Sequence, residues 1–223
     1  MGRGGRIAVG LVVAVVLVLL LAQLILPRLA ASRISSQVGR YGRVLSVSVS
    51  AWPALELLWG HADSVRVKAK SLALSPAQVA SLLWEAQGTA SMDVSVESVR
   101  LGALHVSDAS LHKRGAALSA QAVASEADAK AALPMGFGVR LLRSEGGEVE
   151  VQATGALFGV GASVNAVAVA SDGRLVAHPL GFLIEGLQLT LFSEPHVYVE
   201  GVGASVQSAQ PLSYRLTMSA SLR

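Results

Sequence analysis

The stretch "SVSVSAWPALELLWG", Ser46–Gly60, changes its period halfway. Val47, Val49 and Ala51 alternate with Ser46, Ser48 and Ser50, the period of two that marks a half-buried strand. Trp52-Pro53 ends the alternation, and "ALELLWG" follows as a short helix closed by Gly60. Two of the chain's three tryptophans flank this turn, although aromatic residues make up only 4% of the sequence. Tryptophan has an apolar body and an N–H that prefers a wet edge, so the pair suits the rim of an apolar region around the leucine-rich turn.

Strand periods continue downstream. Val65, Val67 and Ala69 alternate with Arg66, Lys68 and Lys70, and Met92, Val94 and Val96 with Asp93 and Ser95. Further strand patterns cover 99–111, 116–124, 138–144, 148–157, 160–170, 174–179, 187–192, 196–207 and 212–222. Gly146-Gly147 and Asp172-Gly173 are hairpin signals. Helices are few and short. Ser75 is an N-cap followed by Pro76, opening "AQVASLLWEAQ", and Ser125 caps "EADAKAAL". Leu57-Leu58-Trp59 recurs as Leu82-Leu83-Trp84, so all three tryptophans sit in or beside two helices. The expected fold is α+β and β-dominated: an antiparallel sheet of about nine to eleven strands with two or three short helices packed on it. A doubly wound parallel sheet is not expected, because no long strand–helix alternation occurs.

Upstream, Ile7–Leu26, "IAVGLVVAVVLVLLLAQLIL", holds twenty residues with one polar member, Gln23, and no charge. As a helix this run is about 30 Å long, enough to span a bilayer. It exceeds the apolar region of a cleaved signal peptide and lacks a good small-x-small site, so an uncleaved signal-anchor is favoured. Six arginines and no acid lie in residues 1–43, so the net charge of +3 divides into +6 there and −3 in the remainder. The folded part is therefore not a basic nucleic-acid module. Arg28, Arg33, Arg40 and Arg43 fit anionic lipid head groups at a membrane surface. The expected domains are an anchor over 1–27, a basic juxtamembrane helix over 28–43 (or a continuation of the anchor helix), and a β-rich domain over 44–223. A single-pass protein with that domain outside the cytoplasm is favoured, although the flanking arginines alone would tip the orientation the other way.

Candidates for chemistry are weak. His61, His105, His112, His178 and His196 have no metal-site spacing, and the chain has no cysteine. Ser110-Leu111-His112-Lys113 matches S-x-x-K without its companion motifs and reads as a strand end entering a turn. Gly159-Val160-Gly161 precedes no helix, so it is no dinucleotide loop. Glu148 and Glu150 share the solvent face of a strand, opposite Val149 and Val151. No catalytic residue, metal or cofactor is expected, and an enzyme is not.

Three segments together resemble the LmeA-like family of actinobacterial envelope proteins, known as phospholipid-binding. They are the apolar segment with "RLAASRISSQVGR", then "VSVSAWPALELLWGHADSVRVKAKSLAL", then "GASVNAVAVASDGRLVAHPL". The resemblance implies a curved sheet with its helices on the concave face and an apolar groove for acyl chains. Trp52, Leu55, Leu58, Trp59, Leu82, Leu83 and Trp84 are the expected lipid-binding residues; the alternative for the tryptophans is plain core packing that tethers their helices to the sheet. The expected function is membrane-anchored, extracytoplasmic binding or transfer of phospholipid or another amphiphile in the cell envelope. The alternative is an envelope structural or interaction protein with a fully packed sheet. Nucleic acid is not an expected partner, and the sequence names no protein partner.

Overall fold

The computed structural model describes residues 3–132, 138–157, 160–181 and 188–223, without the side chains of 3–20, 156, 157 and 160–162. Leu133, Pro134, Gly159 and the first residue of the strand expected at 187 lie outside this set, as do most side chains of the expected membrane span. Among the described residues, no helix is long and apolar enough to cross a membrane.

One helix, α1, runs from Arg3 to Val38 with Pro27 inside it. It leads into β1 (Gly42–Ser50), a 3-10 turn (Ala54–Trp59), β2 (Ala62–Leu74), α2 (Pro76–Glu85) and β3 (Thr89–Leu101). Next come β4 (Leu104–Arg114), β5 (Ala117–Ser125), the short α3 (Glu126–Ala132), β6 (Gly138–Glu145), β7 (Glu148–Leu157) and β8 (Val160–Ser171). The chain ends with β9 (Arg174–Leu180), β10 (Leu189–Phe192), β11 (Val197–Ala209) and β12 (Leu212–Leu222).

The strands form two sheets rather than the single one expected. Seven follow the order β1-β2-β3-β4-β5-β12-β11, and five the order β10-β9-β8-β7-β6. The small sheet is an insertion between β5 and β11. The large sheet is mixed, not purely antiparallel, because β2 and β3 run parallel in register from Ala62↔Thr89 to Leu74↔Leu101. A parallel pair needs a crossover, and α2 supplies it. Its start is fixed by a capping box in which Gln78 N donates to Ser75 Oγ and Ser75 N donates to Gln78 Oε1. The strand expected at 99–111 is instead broken into β3 and β4 by a turn at Gly102.

Alternation decides which faces are buried. Val65, Val67 and Ala69 point inward from β2, while Arg66, Lys68 and Lys70 face solvent. One core cluster joins Val65, Val67 and Met92 to Leu118, Val197 and Ala220, with Ala80 and Leu83 of α2 among them and Ile34 of α1 against it. Strands from both halves of the sheet thus meet α2, while α1 lies along β1 at the sheet's edge. A second cluster, Ala69, Leu72, Val96, Val99, Val106 and Ala124, takes in Val38 and Tyr41 at the end of α1.

The five-stranded sheet covers the β11 edge, which would otherwise offer unpaired backbone groups. Val199 N donates to Gly173 O at 2.9 Å, Val202 N to Gly147 O at 3.4 Å, and Ala204 N to Ser144 Oγ at 2.8 Å. Both hairpin tips are the ones expected from sequence. The Asp172-Gly173 tip needs positive φ at both residues, and Gly173 also lies under the Tyr198 ring, where a Cβ would come within 2.2 Å of Cδ2.

Candidate lipid-facing surface

The surface begins at Gln23, the lone polar residue of the apolar run. Its Nε2 donates to Ala51 O at 3.1 Å, and its Oε1 accepts from Ala54 N at 2.8 Å. One side chain therefore meets the carbonyl that ends β1 and the amide that starts the 3-10 turn. Ala51 and Ala54 are 3% and 1% exposed and seat the turn against α1. Asp63 Oδ2 accepts from Trp52 N at 2.7 Å and fixes the turn from β2. With its small residues held inside, the turn presents its large ones outside: Trp52 is 76% exposed, Trp59 71% and Leu58 65%. Leu55 is half-buried. Leu21, Leu24, Ile25 and Leu29 of α1 are exposed as well. The leucines and isoleucine of α1 form its outward stripe, on the side turned away from Gln23 and the turn, so the exposed apolar side chains lie on two neighbouring elements.

The second Leu-Leu-Trp triplet lies differently. Leu83 is in the core, Leu82 is half-buried, and Trp84 stacks on His196 with ring centroids 4.0 Å apart. The two triplets nonetheless sit at the same end of the large sheet. Ala62 N donates to Gly88 O, and a Cβ on Gly88 would come within 2.7 Å of Gly60 O, so the turns leaving the 3-10 segment and α2 touch. Gln37 Nε2 donates to Glu85 Oε2 at 2.5 Å and ties α1 to α2. Of the four expected membrane-surface arginines, Arg28 and Arg33 lie on the exposed face of α1. Arg40 and Arg43 lie beyond its C-terminus, at the other end of β1 from Trp52.

A second apolar surface belongs to the five-stranded sheet. Register and alternation place Leu141, Val151, Ala153, Val164, Ala166, Ala168 and Ala177 on one face, each half-buried. The opposite face carries Arg140, Glu148, Glu150, Gln152 and Asn165 beside Val167, Val169 and the fully buried Val176, with Arg143 Nε 3.9 Å from Glu150 Oε2. An open cleft of about 430 Å³ lies on the outer side of the large sheet where Gly147 approaches it, lined by His112, Ser119, Gln121, Gly201, Thr217 and Met218 among others.

Three polar constellations escaped the sequence reading because their members are far apart in the chain. Ser98 Oγ lies 2.9 Å from His105 Nε2, and His105 Nδ1 lies 3.0 Å from Asp128 Oδ1. The Ser125 hydroxyl and then the His105 ring hold Asp128 below the usual carboxylate range. A hydrolytic triad would also need donors for an oxyanion. Ser98 instead sits inside β3, paired on both sides with Ser71 and Ser107, so its backbone is engaged in the sheet. This relay pins α3 to the sheet. On the outer face, His112 and Arg114 grip Asp93 at 2.8 and 3.0 Å, and both lower its pKa, His112 the more. Lys113, 1% exposed, donates to Gln87 O and Thr89 O behind α2, and burial lowers its pKa. Ser110 and Lys113 point to opposite faces of β4, as their odd spacing requires. Among the described residues, no three His, Asp or Glu side chains converge to hold a metal.

The fold is thus a mixed sheet packed on α2, with large apolar side chains left exposed on the 3-10 turn and on α1. The chain belongs to the LmeA-like phospholipid-binding family, whose sequence model matches residues 18–218. No curated protein and no solved structure matches it.

Proposed function

We propose that the protein is a membrane-anchored, extracytoplasmic module that binds phospholipid and passes it to or from the bilayer. Residues 7–26 form the anchor, and Trp52, Leu55, Leu58 and Trp59 form the mouth at which an acyl chain enters. Leu82 and Trp84 line the next part of the path, and Leu83 holds α2 to the sheet behind them. The apolar face of the five-stranded sheet extends the wall that a chain can lie against. The observation that carries this reading is the exposure of Trp52, Leu58 and Trp59 on a turn bonded to the apolar helix, whose own Leu21, Leu24 and Ile25 are exposed on its outer side. Soluble proteins seldom leave so many large apolar side chains uncovered together. Burial of acyl chain supplies affinity of roughly 0.8 kcal/mol per CH₂, so no strong polar site is needed.

The test is retention of lipid through detergent exchange. The full chain is compared with a control in which residues 1–27 precede an unrelated soluble domain. Phospholipid retained by the full chain well above the control, as measured by mass spectrometry of the extract, supports the proposal. Equal retention by the two overturns it.

A further inference from the structure

The polar residue inside the apolar run fixes a depth. The run ends at Leu26, and Gln23 holds the 3-10 turn by two hydrogen bonds from three residues inside that end. Three residues of helix are about 4.5 Å. If a bilayer covers the apolar run to its end, the turn bonded to Gln23 lies below the level of Leu26 rather than above it. The exposed side chains of Leu21, Leu24 and Ile25 need that same cover.

The course of α1 points the same way. From Gln23, beside the end of β1, to Val38, beside its start, the helix follows the strand; Ala73 N closes the far end on Tyr41 O. The remaining residues, Arg3–Ala22, continue the same helix away from that far end for about 30 Å. The chain therefore leaves the domain on the side where Trp52, Leu58 and Trp59 stand bare.

We propose that the 3-10 turn is a membrane wedge, with Trp52, Leu58 and Trp59 seated at the headgroup–acyl boundary of the leaflet through which α1 enters. This deepens the preceding proposal, since it rests on the same anchor. Tryptophan is enriched at that boundary, and apolar faces of peripheral helices sink about 5–10 Å into it. The charged groups near the wedge are Glu56 on the turn itself, Asp63 bonded to Trp52 N, and Arg28. Arg28 lies about 7.5 Å along the helix from Gln23, within reach of phosphates above the wedge. Arg40 and Arg43, about 25 Å or more along, stand clear of the surface. The large sheet then rises away from the bilayer with its 3-10 end down, and lipid reaches the mouth without leaving the membrane.

The experiment uses the full chain in bilayers of phosphatidylcholine and phosphatidylglycerol carrying bromine either high on the acyl chains or at their ends. Bromine quenches tryptophan emission on contact. A Trp84→Phe variant isolates the two wedge residues, and a Trp52→Phe/Trp59→Phe variant isolates Trp84. Quenching of the first by shallow bromine, at least about twofold stronger than that of the second, is expected for rings at the interface. Equal quenching of both, or none of the first, overturns the wedge. Lipid retention through detergent exchange is measured on the same preparations. Strong shallow quenching without retained lipid leaves the wedge standing and removes the lipid-holding reading; retained lipid with Trp52 and Trp59 unquenched does the reverse.

Discussion

Leu57-Leu58-Trp59 and Leu82-Leu83-Trp84 share a composition and an end of the sheet, and the fold uses them in opposite ways. In the first, Leu58 and Trp59 face out; in the second, Leu83 is core and Trp84 lies on His196. The difference comes from what flanks each triplet. Strands β2 and β3 run parallel, so α2 must cross back over the sheet and bury one face against it. The 3-10 turn joins neighbouring antiparallel strands, β1 and β2, and has no such obligation. Its only buried residue is Ala54, against α1. Connection topology, more than hydrophobicity, decides which leucines stay out of the core.

The largest expected contrast is in stability. Leu83→Ala empties a place among Val65, Val67 and Met92 and should cost about 2–5 kcal/mol. Leu58→Ala trims a side chain that is mostly exposed and should stay within about 0.5 kcal/mol. Urea midpoints of the two variants measure the difference. Similar losses would mean that the first triplet is packed as tightly as the second.

Gln23→Ala comes next. It leaves the buried Ala54 N–H without an acceptor, a loss of about 1–3 kcal/mol. The loss should be local, since the core around Leu83 does not involve Gln23. Hydrogen exchange should quicken at Ala54 and neighbouring amides, with β3 and β4 unchanged. Uniform quickening would show that the turn is integral to the core, and the contrast between the triplets would fail.

How much of this could be read from sequence depended on the range of the interaction. The Ser75 cap, Pro76, and the hairpins at Gly146-Gly147 and Asp172-Gly173 are local signals, and each stands where expected. The inward alternation of Val65, Val67 and Ala69 was legible for the same reason. Strand pairing was not, because β5 pairs with β12 across a whole inserted sheet, and no local pattern announces that. The parallel pairing of β2 and β3 was missed although a strand, a capped helix and a strand stand in line there. Gln23 was visible as an anomaly, a polar residue in an apolar helix, and such residues ordinarily have a partner and a purpose. Its partners are 28 and 31 residues away, so only the fold identifies them.

Ser75→Ala tests the α2 side of the contrast more gently. It removes the hydroxyl that accepts from Gln78 N, worth about 1 kcal/mol. The loss should loosen α2 and leave the exposed tryptophans alone. A drop of that size in thermal stability, with shallow bromine quenching of Trp52 and Trp59 unchanged, is the expected pair of results. A fall in quenching would show that the turn depends on α2 through the Gly60–Gly88 contact.

The smallest effect belongs to a site that touches neither triplet. Asp128 is held below its ordinary range by the Ser125 hydroxyl and then by His105, and its side chain is partly exposed. A carboxylate whose folded pKa is depressed contributes stability above its unfolded pKa, near 3.9, and loses it as pH falls through the lower folded value. Wild-type protein should therefore show an extra decline below about pH 4, and Asp128→Asn a shallower one. Urea midpoints taken from neutral pH into that range measure both slopes. Since α3 packs chiefly on β4, β5, β6 and β12, quenching of Trp52 and Trp59 by shallow bromine should persist through the decline. If the two proteins follow the same acid slope, the relay through Ser125 and His105 has no energetic weight. If quenching is lost as Asp128 titrates, the wedge is coupled to the far side of the sheet, and the separation between the two triplets is weaker than their surroundings imply.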